Sequence, residues 1–115
     1  MNIFLICPVR GHEMQETEAI VEHYEKNGNS VHWPPRDTDQ NDETGLRICR
    51  DNAKAIANAD VVAVVWDGKS QGCLFDLGIA FALQKCIIPI SLPEQTDGKS
   101  FQSMISAWAK EADYV

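Results

Sequence analysis

The sequence has no long apolar run, and no stretch approaches the roughly 20 apolar residues that a membrane-spanning helix needs. The apolar stretch within MNIFLICPVRG is short and has no basic segment before it, so a secretory signal peptide is not expected. Both absences favour a cytoplasmic protein that has no membrane partner.

Positive charge is scarce, because 10 Lys and Arg stand against 17 Asp and Glu, which gives a formal net charge of −7. A protein that binds duplex nucleic acid needs a basic face that releases counterions from the phosphates. This balance argues against a nucleic acid polymer as the partner. A small anionic ligand stays compatible with it, since one cation and a few backbone amides can hold a phosphate.

Patterns typical of metal sites and disulfides are also missing. The four cysteines, none of which belongs to a CxxC pair, are Cys7, Cys49, Cys73 and Cys86. The three histidines share no metal-ligand spacing. Because the cysteines have apolar flanks, we expect reduced thiols in the core. Neither a metal nor a cofactor is predicted.

What the chain does contain is a regular alternation of apolar runs and helical patterns. Strands are predicted at residues 2–7, 30–33, 60–66 and 86–91, and the terminal ADYV can begin a further one. Helices are predicted from about residue 13 up to Asn27-Gly28-Asn29, and over residues 45–59, 73–85 and 99–110. The polar segment PPRDTDQNDETG is predicted to be a long loop, of the kind that is usually functional or mobile.

This alternation predicts one α/β domain over residues 1–115, with a small open parallel sheet of four to five strands and helices on both faces. The flavodoxin-like or Rossmann-like strand order 2-1-3-4-5 is expected. That order puts a ligand outside the carboxyl ends of the first and third strands. The loops at these two points are CPVRGHE and DGKSQGCLFD.

Both loops carry residues suited to an anion. Arg10 and Gly11 precede a helix, and a guanidinium beside helix N-terminal amides can bind a phosphate. A solvated arginine on an ordinary turn is an equally good interpretation. Ser70 and Gly72 can turn backbone amides toward a ligand, and Asp76 falls in about the first turn of the next helix. The helix dipole should keep that carboxylate ionised, although the residues alone favour a helix cap.

The stretch ADVVAVVWDGKSQGCLFDLGIAFALQKCIIPI resembles the central segment of nucleoside 2-deoxyribosyltransferases and of the related 2′-deoxynucleoside 5′-monophosphate N-glycosidases. The segment IFLICPVRG is similar to the first strand and loop of the glycosidases. FQSMISAWA is similar to a segment whose central Met reaches into the neighbouring subunit's site. In this family a glutamate that opens the helix attacks C1′ of the deoxyribose and the base leaves, before water or a second base resolves the ester.

The resemblance implies a role for each matching position. It implies that Asp76 is the nucleophile and that Asn52 stands where the family has a catalytic aspartate on the second helix. It implies substrate contacts for Phe4, Pro8, Arg10, Gly11, Ser70, Gly72 and Met104. The glycosidases have serine at the position of Ser70 where the transferases have aspartate. A serine accepts a phosphate that a carboxylate would repel, so Ser70 favours a nucleotide over a nucleoside.

The sequence departs from the family pattern at several of these positions. Asp76 is one methylene shorter than glutamate, and Asn52 cannot donate a proton as a carboxylic acid does. Phe4 stands in place of a tyrosine and Pro8 in place of a serine.

The function implied by the resemblance is hydrolysis or transfer at the N-glycosidic bond of a (deoxy)nucleoside 5′-monophosphate, by a homodimer or higher homo-oligomer. One alternative is a non-catalytic nucleotide-binding or sensing domain that uses the same pocket. A second alternative is an interaction module whose loops only resemble a site.

Overall fold

The computed structural model describes residues 1–9 and 14–111 as alternating strands and helices. The strands are β1 (Asn2–Ile6), β2 (Ser30–His32), β3 (Val61–Val65) and β4 (Ile87–Ser91). The helices are α1 (Met14–Lys26), α2 (Pro34–Asp37), α3 (Leu46–Asn58), α4 (Gln71–Ala82) and α5 (Phe101–Glu111). No helix of the described part combines the length and the apolarity that crossing a bilayer requires.

The four strands form one parallel sheet in the order β2-β1-β3-β4. The predicted α/β fold and the predicted order of the first four strands are confirmed. The order puts β1 and β3 side by side in the centre, where Phe4 lies opposite Val62. A fifth strand is not among the described elements, and the segment ADYV that was predicted to begin it lies outside the described residues.

Alternate side chains of the central strands enter two separate cores, one on each face of the sheet. Phe4 and Val62 pack in a core that α3, α4 and α5 cover, whereas Leu5 and Ala63 pack in a core covered by α1. The continuous apolar runs of these strands follow from this, because a strand that is covered on both faces exposes no side chain to water.

The predicted loop PPRDTDQNDETG contains the short helix α2, so the prediction of a loop is wrong over its first residues. Two prolines occupy its first turn, where their fixed φ suits a helix and their missing N–H groups cost nothing. Asp37 Oδ2 accepts from Trp33 N at 2.8 Å, and Arg36 donates to both carboxylate oxygens of Glu25 at 3.1 Å. The bonds to Glu25 attach the segment to α1, and a further bond from Arg36 to the backbone oxygen of Val31, at 3.0 Å, attaches it to β2.

All four cysteines are free thiols, but they differ in burial. Cys7 and Cys73 are buried, and burial raises the pKa of Cys7 to about 12 and that of Cys73 to about 11. Both thiols are therefore protonated at neutral pH and poor nucleophiles. Cys86 is exposed, so the prediction of a core position is wrong for this cysteine.

Candidate active site

A cavity of about 630 Å³ lies at the carboxyl edge of β1 and β3. Its walls are Pro8 and Val9 from the β1 loop, and Asp67, Lys69, Ser70, Gln71 and Gly72 from the β3–α4 loop and the start of α4. We call this the outer cavity. Its volume lies within the range of about 300–1,000 Å³ that is usual for small-molecule sites.

A smaller cavity of about 110 Å³, which we call the inner cavity, adjoins it and shares three wall residues with it, Val9, Ser70 and Gly72. The other walls of this inner cavity include Cys7, Cys49, Asn52, Cys73, Phe75 and Asp76. A whole nucleotide exceeds this volume, so the inner cavity suits only one part of a ligand.

Ser70 is the N-cap of α4, because its Oγ accepts from Cys73 N at 3.3 Å. The loop before it is held by Asp67, whose Oδ1 accepts from Lys69 N and from Ser70 N, both at 2.8 Å. Only some of the amides expected to face a ligand are therefore available. Among the described residues, the amides of Gln71 and Gly72 are left without a hydrogen-bond partner at the start of α4.

Asp76 is the sixth residue of α4 and lies one turn deeper than the sequence suggested. It is not a helix cap, since Ser70 has that position. Its carboxyl group makes no hydrogen bond or ion pair with any described residue, and burial raises its pKa to about 7. The expectation that the helix dipole keeps it ionised is wrong, because the dipole acts mainly within the first turn and desolvation outweighs it.

Asn52 extends from α3 into the wall of the inner cavity and is only 7% exposed. Its Oδ1 accepts a hydrogen bond from Thr38 Oγ1 at 2.7 Å. The structure thus brings Asn52, Ser70, Gly72 and Asp76 to one cavity. Asn52 comes from α3, Ser70 from the loop before α4, and Gly72 and Asp76 from α4. The chemical roles of these residues stay predictions.

Several other residues to which the sequence assigned a role lie elsewhere. Phe4 is fully buried and stacks on the ring of His32, with 5.3 Å between the centroids. It has no surface left for a ligand, so the predicted substrate contact is wrong in this conformation. Pro8 lines the outer cavity, whereas Arg10 and Gly11 lie outside the described residues. Met104 is 38% exposed and lines a separate surface cavity on α5.

The sequence also left two nearby polar residues without a role. Lys69 brings a positive charge to the outer cavity, and its position next to Ser70 in the sequence was a usable signal. Thr38 is buried behind Asn52, and nothing in the sequence linked these two residues. Within residues 1–9 and 14–111 no group of three His, Cys, Asp or Glu side chains could hold a metal ion.

Comparison with known proteins returns one family and a consistent fold. The family model described as nucleoside 2-deoxyribosyltransferase matches residues 3–105. The structure of the CMP N-glycosidase of Clostridium botulinum is similar, with 17% identity, a TM-score of 0.65, and coverage of 96% of this chain and 81% of that one.

A second solved structure is a 2-deoxyribosyltransferase from the psychrotolerant bacterium Bacillus psychrosaccharolyticus. It has 18% identity and a TM-score of 0.68, with coverage of 85% of this chain and 77% of that chain. At identities this low, both similarities establish the fold alone. None of the curated protein sequences matches this chain.

Proposed function

Because the chain belongs to the nucleoside 2-deoxyribosyltransferase family, we propose that it acts on the N-glycosidic bond of a (deoxy)nucleoside 5′-monophosphate, as a hydrolase or a transferase. The observation that carries the proposal is the carboxyl group of Asp76. It is partly buried, has no hydrogen-bond partner among the described residues, and lines a cavity at the switch point of the sheet. A structural aspartate is normally paired, whereas an unpaired and desolvated one is typical of a reactive group.

In the proposed reaction the ionised form of Asp76 attacks C1′ of the sugar. The bond between a carboxylate oxygen and C1′ forms while the bond between C1′ and the base nitrogen breaks, and that electron pair leaves with the base. Water or a second base then attacks C1′ and releases the carboxylate. Because the pKa is raised to about 7, both the protonated and the ionised form of Asp76 are accessible near neutral pH.

The proton for the departing base is the weak point of this site. Asn52 lines the cavity where a general acid is useful, but an amide does not donate a proton at neutral pH. General acid catalysis typically contributes about 10²–10⁴-fold. We therefore expect slow turnover that is confined to bases which leave easily.

A phosphate fits best in the outer cavity. Lys69, the hydroxyl group of Ser70 and the free amides of Gln71 and Gly72 lie on one wall, at the positive end of α4. Asp67 lies on the same wall, but its Oδ1 is already engaged by two backbone amides. These features favour a 5′-monophosphate over the matching nucleoside.

The phosphate assignment can be tested with Arg10, which follows the outer-cavity residues Pro8 and Val9 in the sequence. We expect the parent protein to bind 5′-monophosphates more tightly than nucleosides, and Arg10→Ala to lose about 1.5–3 kcal/mol of that preference, the usual range for a hydrogen bond to a charged group. Calorimetric titration with matched nucleoside and monophosphate pairs measures the difference in binding free energy. Lys26→Ala, at the far end of α1, is the control and should keep the preference. Equal affinity for nucleoside and monophosphate in the parent would contradict the assignment.

We also propose that the active form is a homodimer in which Met104 of one subunit approaches the Asp76 loop of the other. On α5, Ile105 and Ala109 pack on the chain's own sheet, whereas Phe101 and Met104 are 56% and 38% exposed. Exposed apolar side chains on one side of a helix favour a contact with another chain.

Met104→Glu should convert this dimer into a monomer and lower base release, because it puts a charge into an apolar contact. Lys110→Glu introduces the same side chain at another exposed position of α5 and should leave the dimer intact. Light scattering at micromolar concentration measures the mass. A monomeric parent protein speaks against the proposal.

A non-catalytic nucleotide-binding domain is the second candidate, and the amide at position 52 favours it. The enzyme and the binding domain are distinguished by comparing ligand-induced thermal shifts with the release of free base from the same monophosphates. Shifts without release support the binding domain, and release supports the enzyme.

A further inference from the structure

A chain of three polar side chains connects the outer surface of β2 with the inner cavity. His32 Nε2 lies 2.8 Å from Thr38 Oγ1, and Thr38 Oγ1 lies 2.7 Å from Asn52 Oδ1. Asn52 lines the inner cavity, whereas His32 lines a different cleft beside Asn2 and Asp37. Thr38 lies between them and is buried.

The direction of these hydrogen bonds follows from the number of protons available. The hydroxyl group of Thr38 has one proton and donates it to Asn52 Oδ1. The same oxygen can then only accept from His32, so the imidazole carries its proton on Nε2. Burial lowers the pKa of His32, against the opposing effect of Asp37, and the ring is neutral at neutral pH.

This direction determines which end of the Asn52 amide faces the cavity. With Oδ1 occupied by Thr38, the NH₂ group is the end that is left, and it takes part in none of the hydrogen bonds between described residues. The reverse orientation would put the amide oxygen in the cavity that the Asp76 carboxyl group also lines, where two oxygens would repel each other. The chain of hydrogen bonds therefore presents a nearly buried donor to the inner cavity.

We propose that His32 and Thr38 are positioning residues that hold Asn52 as a hydrogen-bond donor, and that the inner cavity thereby selects a base with a keto oxygen over one with an amino group. This inference rests on the proposed function, since it concerns the ligand of the same site. The inner cavity suits the base because Cys7, Phe75 and Cys73 give it apolar walls, while the outer cavity has the charged side chains of Asp67 and Lys69.

A donor that faces the exocyclic position discriminates between such bases because only the keto base offers an acceptor at that position. A keto oxygen pairs with the NH₂ group of Asn52, whereas an exocyclic amine leaves two donors facing each other and both unpaired. A single hydrogen bond of this kind supports a preference of about tenfold. The hydroxyl group of Thr38 maintains that preference only as long as it holds the amide oxygen.

The closing experiment uses two pairs of 5′-monophosphates that share a sugar and differ in the exocyclic group and in the proton on the adjacent ring nitrogen: UMP against CMP, and IMP against AMP. The ratio of the two dissociation constants in each pair is measured by calorimetry for the parent protein. We expect the keto member to bind about tenfold more tightly in at least one pair. Thr38→Val removes the hydroxyl group at constant shape and should bring the ratio close to one. Thr38→Ser keeps the hydroxyl group and should restore it, which a purely structural role of Thr38 would not explain.

Two further variants examine the ends of the chain. Asn52→Asp replaces the donor by an acceptor and should reverse the preference toward the amino member. His32→Gln keeps a donor for Thr38 and should retain the preference, whereas His32→Phe keeps the stacking on Phe4 and should lose it. In NMR spectra, the Nε2 proton of His32 should be protected from exchange in the parent and in Thr38→Ser, and exposed in Thr38→Val.

The outcomes separate the inference from the function on which it rests. If none of the four monophosphates binds, the proposed function fails, and the selection of a base fails with it. If they bind but the keto preference is absent or survives Thr38→Val, the inference is overturned and the proposed function stands. A keto preference that follows the hydroxyl group at position 38 supports both.

Discussion

Asp76→Asn is expected to reduce base release from 5′-monophosphates by roughly 10³-fold or more, the scale on which the loss of a nucleophile acts. The amide has nearly the same shape but cannot attack C1′, so monophosphate affinity should be largely unchanged. Chromatography of the released base, after incubation with a panel of monophosphates, measures the rate. The pH profile of the parent is a second readout, because only ionised Asp76 attacks.

Since burial raises the pKa of Asp76 to about 7, the rate should increase with pH up to that value and level off above it. The control is Asp51→Asn, which removes a neighbouring carboxylate of α3 that faces solvent and pairs with Arg47 at 2.8 Å. It should release base as fast as the parent. Undiminished release by Asp76→Asn would rule out the nucleophilic role, and a parent that binds without release is a nucleotide-binding domain.

The strand order and the position of the outer cavity could be predicted because both follow from local patterns with few topological solutions. The apolar runs of β1 and β3 require cover on both faces, and right-handed crossovers then leave one simple arrangement. That arrangement places the loops after β1 and β3 side by side. On this argument Ser70 and Asp76 could be placed near the same cavity without any knowledge of side-chain contacts.

The errors arose where the outcome depends on contacts between distant residues. The pKa of Asp76 is set by tertiary burial, which a position within a helix does not reveal. The partner of Asn52 is Thr38, which lies 14 residues earlier in a segment predicted to be a loop. Phe4 belongs to a strand that is buried almost throughout, so no alternation of the sequence could show whether its ring faced a ligand or the core.

The burial that raises the pKa of Asp76 should also destabilise the folded protein. In the unfolded chain the group has its ordinary pKa of about 3.9, whereas the folded value is about 7. Between these two values the folded state binds more protons than the unfolded state, so the contribution of Asp76 to stability decreases as the pH rises. Above pH 7 the decrease is complete, and it amounts to roughly 2–4 kcal/mol.

Asp76→Asn should therefore stabilise the protein by roughly 2–4 kcal/mol at pH 8 and by much less at pH 4.5, because an amide pays no cost for ionisation. Urea unfolding of variant and parent at both pH values measures the difference. Asp67→Asn is the matched control of opposite sign: hydrogen bonds from the amides of Ser70 and Lys69 lower the pKa of Asp67. The ionised carboxylate of Asp67 therefore stabilises the folded protein at pH 8, and this stabilisation is lost as the pH falls through the folded pKa. Asp67→Asn should accordingly lower the free energy of unfolding at pH 8. A loss of stability at pH 8 in Asp76→Asn would show that the Asp76 carboxylate has a partner that stabilises its charge. The proposed reaction depends on an unpaired carboxylate, so this result would contradict it.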